Sequence, residues 1–434
     1  MIHRHSFLLY AFLSVMITQT NTLMGQTAWN WEVLDSMPFR ISNNAVAYGE
    51  SDGEGYVYSF GGIDSSKVFT GITKRSFRYH IASDTWEEID SIPFESPVIA
   101  SSASTVDNII YIIGGYEVFV GGGEASTNEV IRYDPTTNTY LENGASIPVP
   151  IDDQVQCTWR DSLIYVITGW SNTGNVPDVQ IYNPYLDDWT AGTPTPNTND
   201  YKAFGASGYI IGDTIYYYGG ASAGIDFPAR NLLRKGVIDP ADPTNIFWSL
   251  ETPGPNTVYR AAAVNYADQI FWIGGSSTSY NYNGIAYDGS GGVSPRFMIT
   301  RYDHLTDTWY EGSGAPYGVM DLRNAAQISP TQWIICGGME PGQYVSSRTF
   351  LLTYDPVVGA VYEEGAEKYY ALNNRYLTFY EQPEEVKLYG LNGQLMYMLK
   401  NESGEIPDYI QGHFILYIQF AEYTVGSEIV LTAP

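Results

Sequence analysis

The chain has 434 residues and a formal net charge of −27, with 21 Lys and Arg against 48 Asp and Glu. A chain this acidic offers no basic patch that would neutralise phosphates, which argues against nucleic acid and against an anionic membrane surface as partners. Gly (43) and Tyr (37) are abundant and only 16% of residues are charged, which favours short strands and many turns over helices.

The N-terminal residues have the pattern of a secretory signal. Arg4 precedes the apolar core Phe7–Ile17, whose 11 residues are too few to span a bilayer. We therefore predict a signal peptide over residues 1–25, with cleavage near Gly25-Gln26. The predicted localisation is secreted, extracellular or at the cell surface, with the periplasm as the alternative. No other stretch is long and apolar enough to form a transmembrane segment.

Apolar runs that end in a pair of small residues recur along the chain. The first residues of the pairs are separated by 53, 54, 51, 55 and 63 residues. An interval this regular, with a strand-like run each time, predicts a repeat in the β-propeller range. The runs are Tyr56–Gly62, Ile109–Gly115, Leu163–Gly169, Thr214–Gly220, Gln269–Gly275 and Gln332–Gly338.

A second signal is a Tyr followed seven residues later by Trp or Tyr, with turn-forming residues between them. This spacing predicts a hairpin with an aromatic residue on each arm. The fourth repeat departs, because Asp239–Pro243 lengthens its turn before Trp248. The regular pairs are Tyr79 with Trp86, Tyr133 with Tyr140, Tyr182 with Trp189 and Tyr302 with Trp309.

The apolar run, the glycine pair and the Tyr-to-Trp hairpin together resemble kelch repeats, over roughly residues 28–358. Six units match, with Thr168 at one glycine position and Tyr140 at one Trp position. The resemblance implies an all-β fold, a six-bladed kelch β-propeller whose four-stranded blades surround a central channel. Small residues such as those of Ala45–Ala47 and Ala261–Val264 suit the crowded inner strands.

The start of the propeller has its own signal. Trp31–Pro38 repeats Trp86–Pro93 almost letter for letter, and the second octet is a predicted fourth strand. We predict that Trp31–Pro38 completes blade six and so closes the ring, with the propeller at residues 26–358. Val361-Tyr362 is a rival for the same position. On this layout Cys157 and Cys336 lie on opposite sides of the ring, too far apart for an intramolecular disulfide.

Residues 359–371 are predicted to be a linker, followed by a small C-terminal antiparallel β-sandwich at residues 372–434. Val386–Gly393, Gly412–Leu416 and Glu428–Leu431 resemble the C-terminal sorting domain of type IX secretion substrates. That resemblance implies an interaction with secretion machinery. The alternative is a purely structural sandwich.

In a kelch blade, the loop between strands two and three shares one face with the loops between blades, and loops on a rigid scaffold commonly bind ligands. Arginines near the channel mouth suit a carboxylate, and exposed aromatic faces suit a sugar. The alternative for each is bracing or packing of the loops. The candidate ligand-binding residues are Arg40, Arg260, Arg323, Asp152, Asp200, Tyr116, Trp170, Tyr280 and Tyr282, with Asp153 at a position related to the two other aspartates.

Catalysis has less support in the sequence. Copper-radical kelch oxidases need converging histidines, whereas His80 and His304 fall in turns on the other face and His413 falls in the C-terminal domain, so no metal or cofactor is expected. Sialic-acid epimerases (mutarotases) are also six-bladed kelch proteins, and a resemblance to them implies Glu340 with Arg348, or Glu117, as the acid/base pair.

We therefore predict a secreted or cell-surface propeller that binds a glycan or an extracellular protein without catalysis. A sugar-modifying enzyme of the epimerase kind is the alternative. The sequence does not indicate the oligomeric state.

Overall fold

The computed structural model describes residues 29–313, 315–354, 370–373, 376–379, 382–390, 395–399, 402–407, 412–419 and 424–431. These residues form antiparallel β-sheets, with one short 3-10 helix at Phe69–Gly71. The all-β prediction is confirmed. The described ranges hold no helix that is long and apolar enough to cross a bilayer. The predicted signal peptide falls outside these ranges.

Residues 29–354 form six four-stranded sheets, which we number as blades 1 to 6 and whose strands we number outward from the centre. Blade 1 consists of Ala45–Ser51, Glu54–Phe60, Ser76–His80 and Thr85–Ile89. Blade 2 consists of Ser102–Val106, Ile109–Ile113, Val130–Asp134 and Thr139–Tyr140. Blade 3 consists of Val155–Trp159, Leu163–Ile167, Val179–Asn183 and Asp188–Ala191.

The second half of the ring repeats this order. Blade 4 consists of Phe204–Ile211, Thr214–Ala221, Leu233–Asp239 and Asp242–Leu250. Blade 5 consists of Ala262–Tyr266, Gln269–Ile273, Met298–Asp303 and Thr308–Ser313. Blade 6 consists of Ala326–Ser329, Gln332–Cys336, Thr349–Tyr354 and, as its fourth strand, Trp29–Leu34.

The predicted aromatic hairpins are the outer strand pairs of the blades. Tyr79 lies opposite Trp86, with their ring centroids 5.2 Å apart. The pairs in blades 2, 3 and 5 are in the same register. In blade 4, Trp248 lies opposite Gly236, and the register shifts between Ile238 and Asp239. Such aromatic pairs add about 0.5–1.5 kcal/mol each to the stabilisation from buried area.

Apolar clusters fill the spaces between neighbouring blades. Tyr58 of blade 1 packs on Tyr133 of blade 2 at 5.2 Å, and equivalent clusters join each blade to the next. A further cluster joins blade 6 to blade 1 through Ile334, Val46 and Phe77. Because the last sheet packs against the first, the six sheets form a closed ring.

The N-terminal strand connects the two ends of the ring. Trp29–Leu34 pairs antiparallel with Thr349–Tyr354, which places Trp31 opposite Leu352. The Trp29 ring lies 5.0 Å from the Tyr354 ring, and the Trp31 ring lies 5.6 Å from the Phe350 ring. The rival segment Val361-Tyr362 lies outside the described residues.

The two cysteines lie in different blades. Cys157 is in the first strand of blade 3 and Cys336 in the second strand of blade 6, and both are buried and free. Burial raises the pKa of each thiol to about 12. They behave as small buried side chains.

The C-terminal strands form two further antiparallel sheets. Val386, Leu388, Leu416 and Ile418 supply buried apolar side chains. The predicted linker 359–371 overlaps the first of these strands, because backbone pairing already begins at residue 370. One sheet contains Tyr370–Asn373, Tyr376–Phe379 and Gly404–Glu405, and the other contains Leu395–Leu399, Glu385–Gly390, Gly412–Gln419 and Thr424–Leu431.

Candidate functional site

The loops that enter the six blades meet near the axis of the ring at one end. Each contributes a residue with a positive φ near the start of its first strand: Asn43 (56°), Ala100 (61°), Asp153 (49°), Gly205 (65°), Arg260 (49°) and Asp321 (64°). Four backbone bonds link five of the neighbouring loops: Asp153 N–H to Ala100 O (3.1 Å), Gly205 N–H to Asp153 O (2.8 Å), Arg260 N–H to Gly205 O (2.8 Å) and Leu322 N–H to Arg260 O (3.1 Å). This linkage brings side chains from distant parts of the sequence together at the axis.

Those side chains form a buried ionic cluster. Arg260 is 1% exposed; its Nε and Nη2 donate to Asp153 at 3.0 and 2.5 Å, and its Nη1 donates to Asp321 Oδ1 at 3.0 Å. Arg323 Nη1 also donates to Asp153, and Ser42 Oγ donates to Asp321. Four inter-blade loops are therefore joined through one guanidinium and its carboxylate partners.

Burial and charge act in opposite directions on these groups. Burial alone raises the pKa of Asp153, but Arg260 and Arg323 outweigh it and hold that pKa below its usual range. For Asp321, burial outweighs the attraction of Arg260 and raises the pKa. The two carboxylates also outweigh the burial of Arg260 and raise its pKa well above the usual value. The Asp153–Arg260 pair is thus the ionised centre of the cluster.

Asp152 is buried beside this pair, with Ser126 Oγ donating to it at 2.5 Å. Burial and the neighbouring Asp153 raise the pKa of Asp152 well above its usual value. Its backbone exchanges two 2.9 Å hydrogen bonds with Trp170. Tyr116 makes the equivalent backbone pair with Ile99 in blade 2. These candidates therefore fasten each inter-blade loop to the loop between strands two and three.

An aromatic layer lies against the cluster. Tyr259 and Tyr280 are buried, and the Arg260 guanidinium lies 5.1 and 5.4 Å from their ring centroids. Trp170 packs edge-to-face on Phe204, with ring centroids 5.5 Å apart. The long loop of blade 5, residues 274–297, supplies much of this layer. It closes this end of the ring from the side on which ligand binding was predicted.

The three predicted arginines therefore differ in kind. Arg260 and Arg323 are buried and brace the loops, which is the alternative that the sequence left open for them. Arg40 is exposed, with its guanidinium 4.4 Å from the Tyr344 ring centroid. Neighbouring loops cover the Arg260 and Arg323 side chains, and ligand binding by these two residues stays a prediction.

The remaining candidates are more accessible. Asp200 is exposed and accepts a 3.0 Å bond from Arg230, while Tyr282 and Trp170 are half-buried. Binding by these residues stays a prediction. Tyr116 and Tyr280 are covered by the loop packing and Asp152 by its hydrogen bonds.

The candidate acid/base residues lie in or next to the short hairpins between strands two and three. Glu340 Oε2 lies 3.3 Å from Arg348 Nη1, and Glu340 Oε1 accepts a 2.5 Å bond from Ser346 Oγ. The carboxylate therefore pairs with Arg348 rather than with Arg40. Glu117 is half-buried and makes no ion pair within the described part of the chain.

The propeller histidines do not lie in the inter-blade loops that form the ionic cluster. His80 and His304 lie at the turns between strands three and four, beside Glu54 (3.7 Å) and Asp268 (3.3 Å) respectively. No group of three or more His, Cys, Asp or Glu arranged for a metal occurs among the described residues.

Apolar side chains exposed at the loop tips are the feature that the sequence reasoning missed. They belong to the loops between strands two and three of five different blades, and turn residues such as Gly121–Gly123 are the only local signal of a tip. These residues, with their exposed fractions, are Val68 (47%), Phe119 (46%), Val120 (87%), Ile225 (90%), Ile285 (41%) and Tyr344 (52%).

The other end of the ring is open. A cavity of about 570 Å³ follows the first strands from Asn324 and Gln156 to the exposed turn residues Arg160, Asp161 and Gly212. Because Asp153 and Arg260 lie three residues before the lining positions Gln156 and Ala263, the ionic cluster stands at the inner end of this cavity. As far as the described residues show, the channel is thus a pocket that opens on the face of the turns between strands one and two.

Comparisons with known proteins agree with this architecture. A Kelch motif model matches residues 100–141. Kelch-like protein 35 of Mus musculus is 22% identical over 300 residues, covering 67% of this chain and 43% of that protein. Kelch-like protein 23 of Pongo abelii is 31% identical over 217 residues, covering 49% and 33%. The chain spans at most half the length of the curated relatives it matches.

A solved structure described as "Structure of YjhT" is similar with a TM-score of 0.59 and 17% sequence identity, covering 74% of this chain and 97% of that chain. At this identity the similarity concerns the fold. With the motif and the relatives, it supports a kelch-repeat β-propeller.

Proposed function

We propose that the protein is a non-enzymatic binding module that docks another protein on its loop face, defined as the loops between strands two and three together with the loops between blades. The exposed apolar loop tips carry this proposal. Val120 and Ile225 are 87% and 90% exposed. Exposure of large apolar side chains to water is unfavourable, and their burial against a partner would stabilise the complex.

The underlying layer supports the same role. The ionic cluster and the aromatic packing hold the loop bases rigid, so the tips are presented without a large ordering cost. The net charge of −27 favours a partner that is not itself strongly acidic. A preorganised rim of apolar tips around a sealed centre suits a broad protein surface better than a deep small-molecule site.

Site-specific photo-crosslinking tests the docking face. A photoreactive residue at Val120 or Ile225 is expected to give discrete adducts with an extracellular partner. Leu186 is the matched control, because it is 74% exposed but lies in a strand three-to-four turn on the opposite face. Equal crosslinking from Leu186 would contradict docking on the loop face. Binding on a glycan array that is lost in Trp170→Ala would instead point to a glycan there.

A sugar-modifying activity of the epimerase kind is the second candidate, favoured by the 3.3 Å contact between Glu340 and Arg348. A carboxylate held beside an arginine is the arrangement that acid/base work on a sugar needs. Anomeric exchange of N-acetylneuraminate, followed by NMR, is expected to be accelerated by the protein and abolished in Glu340→Gln. Exchange at the uncatalysed rate would remove this candidate.

We also propose that the protein is exported, through the N-terminal segment and the C-terminal sandwich. Export predicts a mature N-terminus near residue 26 and retention in the cell when residues 372–434 are deleted. A mature chain that still begins at Met1 would contradict the signal peptide. Export of the truncated chain would show that the C-terminal sandwich is structural.

A further inference from the structure

The open end of the channel carries side chains that the docking face does not use. Thr158, Gln327 and Tyr209 are among the residues that line the cavity. Within the described part of the chain, none of these three side chains makes a hydrogen bond to protein. Polar groups that line a concave pocket without protein partners are available to a ligand.

The interior of the cavity is polar but uncharged. Its inner lining consists of Gly, Ala, Ser, Thr, Cys, Val, Ile, Asn, Gln, Tyr and Trp, and the ionisable Arg160 and Asp161 occur only at the mouth. Arg160 is already paired with Asp213 at 2.8 Å. A charged ligand would lose hydration on entry without gaining a counter-ion. A neutral ligand with many hydroxyls carries no charge to desolvate.

The size and shape restrict the ligand further. A volume of about 570 Å³ is within the range of small-molecule pockets, roughly 300–1,000 Å³. Tyr209 and Tyr48 also belong to the lining, with their side chains packed against the apolar clusters between neighbouring blades. The small side chains Ala47, Ala103 and Ala263 leave the space on the axis unfilled.

We propose that this cavity is a binding site for a neutral polyhydroxylated molecule of the size of a mono- or disaccharide, entered from the face of the strand one-to-two turns. The ionic cluster of Asp153, Arg260 and Asp321 lies beyond the inner end of this cavity and is not part of its lining. The site is separate from the docking face, so a protein partner on the loop tips leaves its mouth uncovered.

Calorimetric titration of the full chain with glucose, maltose, lactose and myo-inositol tests the site, with gluconate as the charged counterpart of glucose. At least one neutral probe is expected to bind and gluconate is not. Gln327→Ala and Thr158→Val are each expected to weaken that binding about tenfold, since each removes one hydrogen-bonding group. Thr137→Val, in an exposed turn, is the matched control and leaves affinity unchanged.

Two further variants locate the binding. Thr158→Trp, at a half-buried position of the lining, fills the cavity and abolishes binding, with a retained thermal transition showing that the chain still folds. Val120→Asp, at the docking face, leaves sugar affinity unchanged, which separates this site from the proposed protein-binding function.

The proposal is overturned if none of the four neutral probes binds, or if binding survives Thr158→Trp unchanged.

Discussion

The two ends of the channel are built from the same six first strands, yet one is sealed and the other is open. At the sealed end, loops enter the blades, and residues such as Asp153 and Arg260 turn inward with positive φ and pair across the axis. At the open end, strands leave through short turns such as Arg160–Ser162, whose charged side chains reach solvent. The repeat specifies the ring, and single side chains at equivalent positions specify which end is closed.

The largest expected effect comes from removing the central guanidinium. Arg260→Ala leaves Asp153 and Asp321 buried without their main partner, and we expect a loss of about 3–5 kcal/mol in the free energy of unfolding. Arg160→Ala at the open end removes a half-exposed ion pair with Asp213 and is expected to cost about 1 kcal/mol or less. Chemical denaturation measures both, and similar losses would break the distinction between the two ends.

A smaller effect is expected from backbone crowding. Gly274 has φ +65°, and a Cβ there would lie 2.1 Å from Val319 O, so Gly274→Ala is expected to cost at least about 2 kcal/mol. Gly212, at the open end, has φ +57° with nothing within 4 Å of an added Cβ. Gly212→Ala is therefore expected to cost only about 1 kcal/mol, which is the cost of the left-handed backbone conformation alone. Thermal unfolding of the two variants gives the comparison.

The smallest effect is a change in pH dependence. Because burial and Asp153 raise the pKa of Asp152 in the folded chain, the folded state holds this proton more tightly than the unfolded state. The stabilising contribution of Asp152 is complete below the unfolded pKa of about 4 and is lost as pH rises through the raised folded value. Asp152→Asn cannot ionise, so its stability relative to the wild type should increase as pH rises.

Melting temperatures between pH 4 and pH 8 measure this trend. Asp161→Asn, which removes the same charge from an exposed position at the open end, is the control and should show a smaller change. A relative stability of Asp152→Asn that falls with rising pH would contradict the raised pKa.

Much of the fold could be predicted from the sequence. The seven-residue spacing of Tyr79 and Trp86 became a cross-strand pair, and the apolar runs became the second strands. These signals are local, since a strand pair and its turn lie within a dozen residues. Thr168 stands at a position where the other repeats have glycine. Its φ is +45°, and its hydroxyl accepts a hydrogen bond from Ala203 N–H at 3.0 Å.

The candidate site was predicted less well, for a physical reason. Whether Arg260 faces solvent depends on Asp153, Asp321 and the blade 5 loop, which come from separate repeats. The sequence placed these residues on one face but gave no distance between them. The tips Val120 and Ile225 were missed because exposure of an apolar residue leaves no periodic signal.

The sequence by itself determined the repeat, the aromatic hairpins and the acidic charge, because each depends on residues that are near one another in the chain or on composition alone. The tertiary structure decided which end of the axis is closed and which side chains reach solvent. That choice depends on ion pairs between loops as far apart as Asp153 and Arg260, which 107 positions separate and only the closed ring brings into contact.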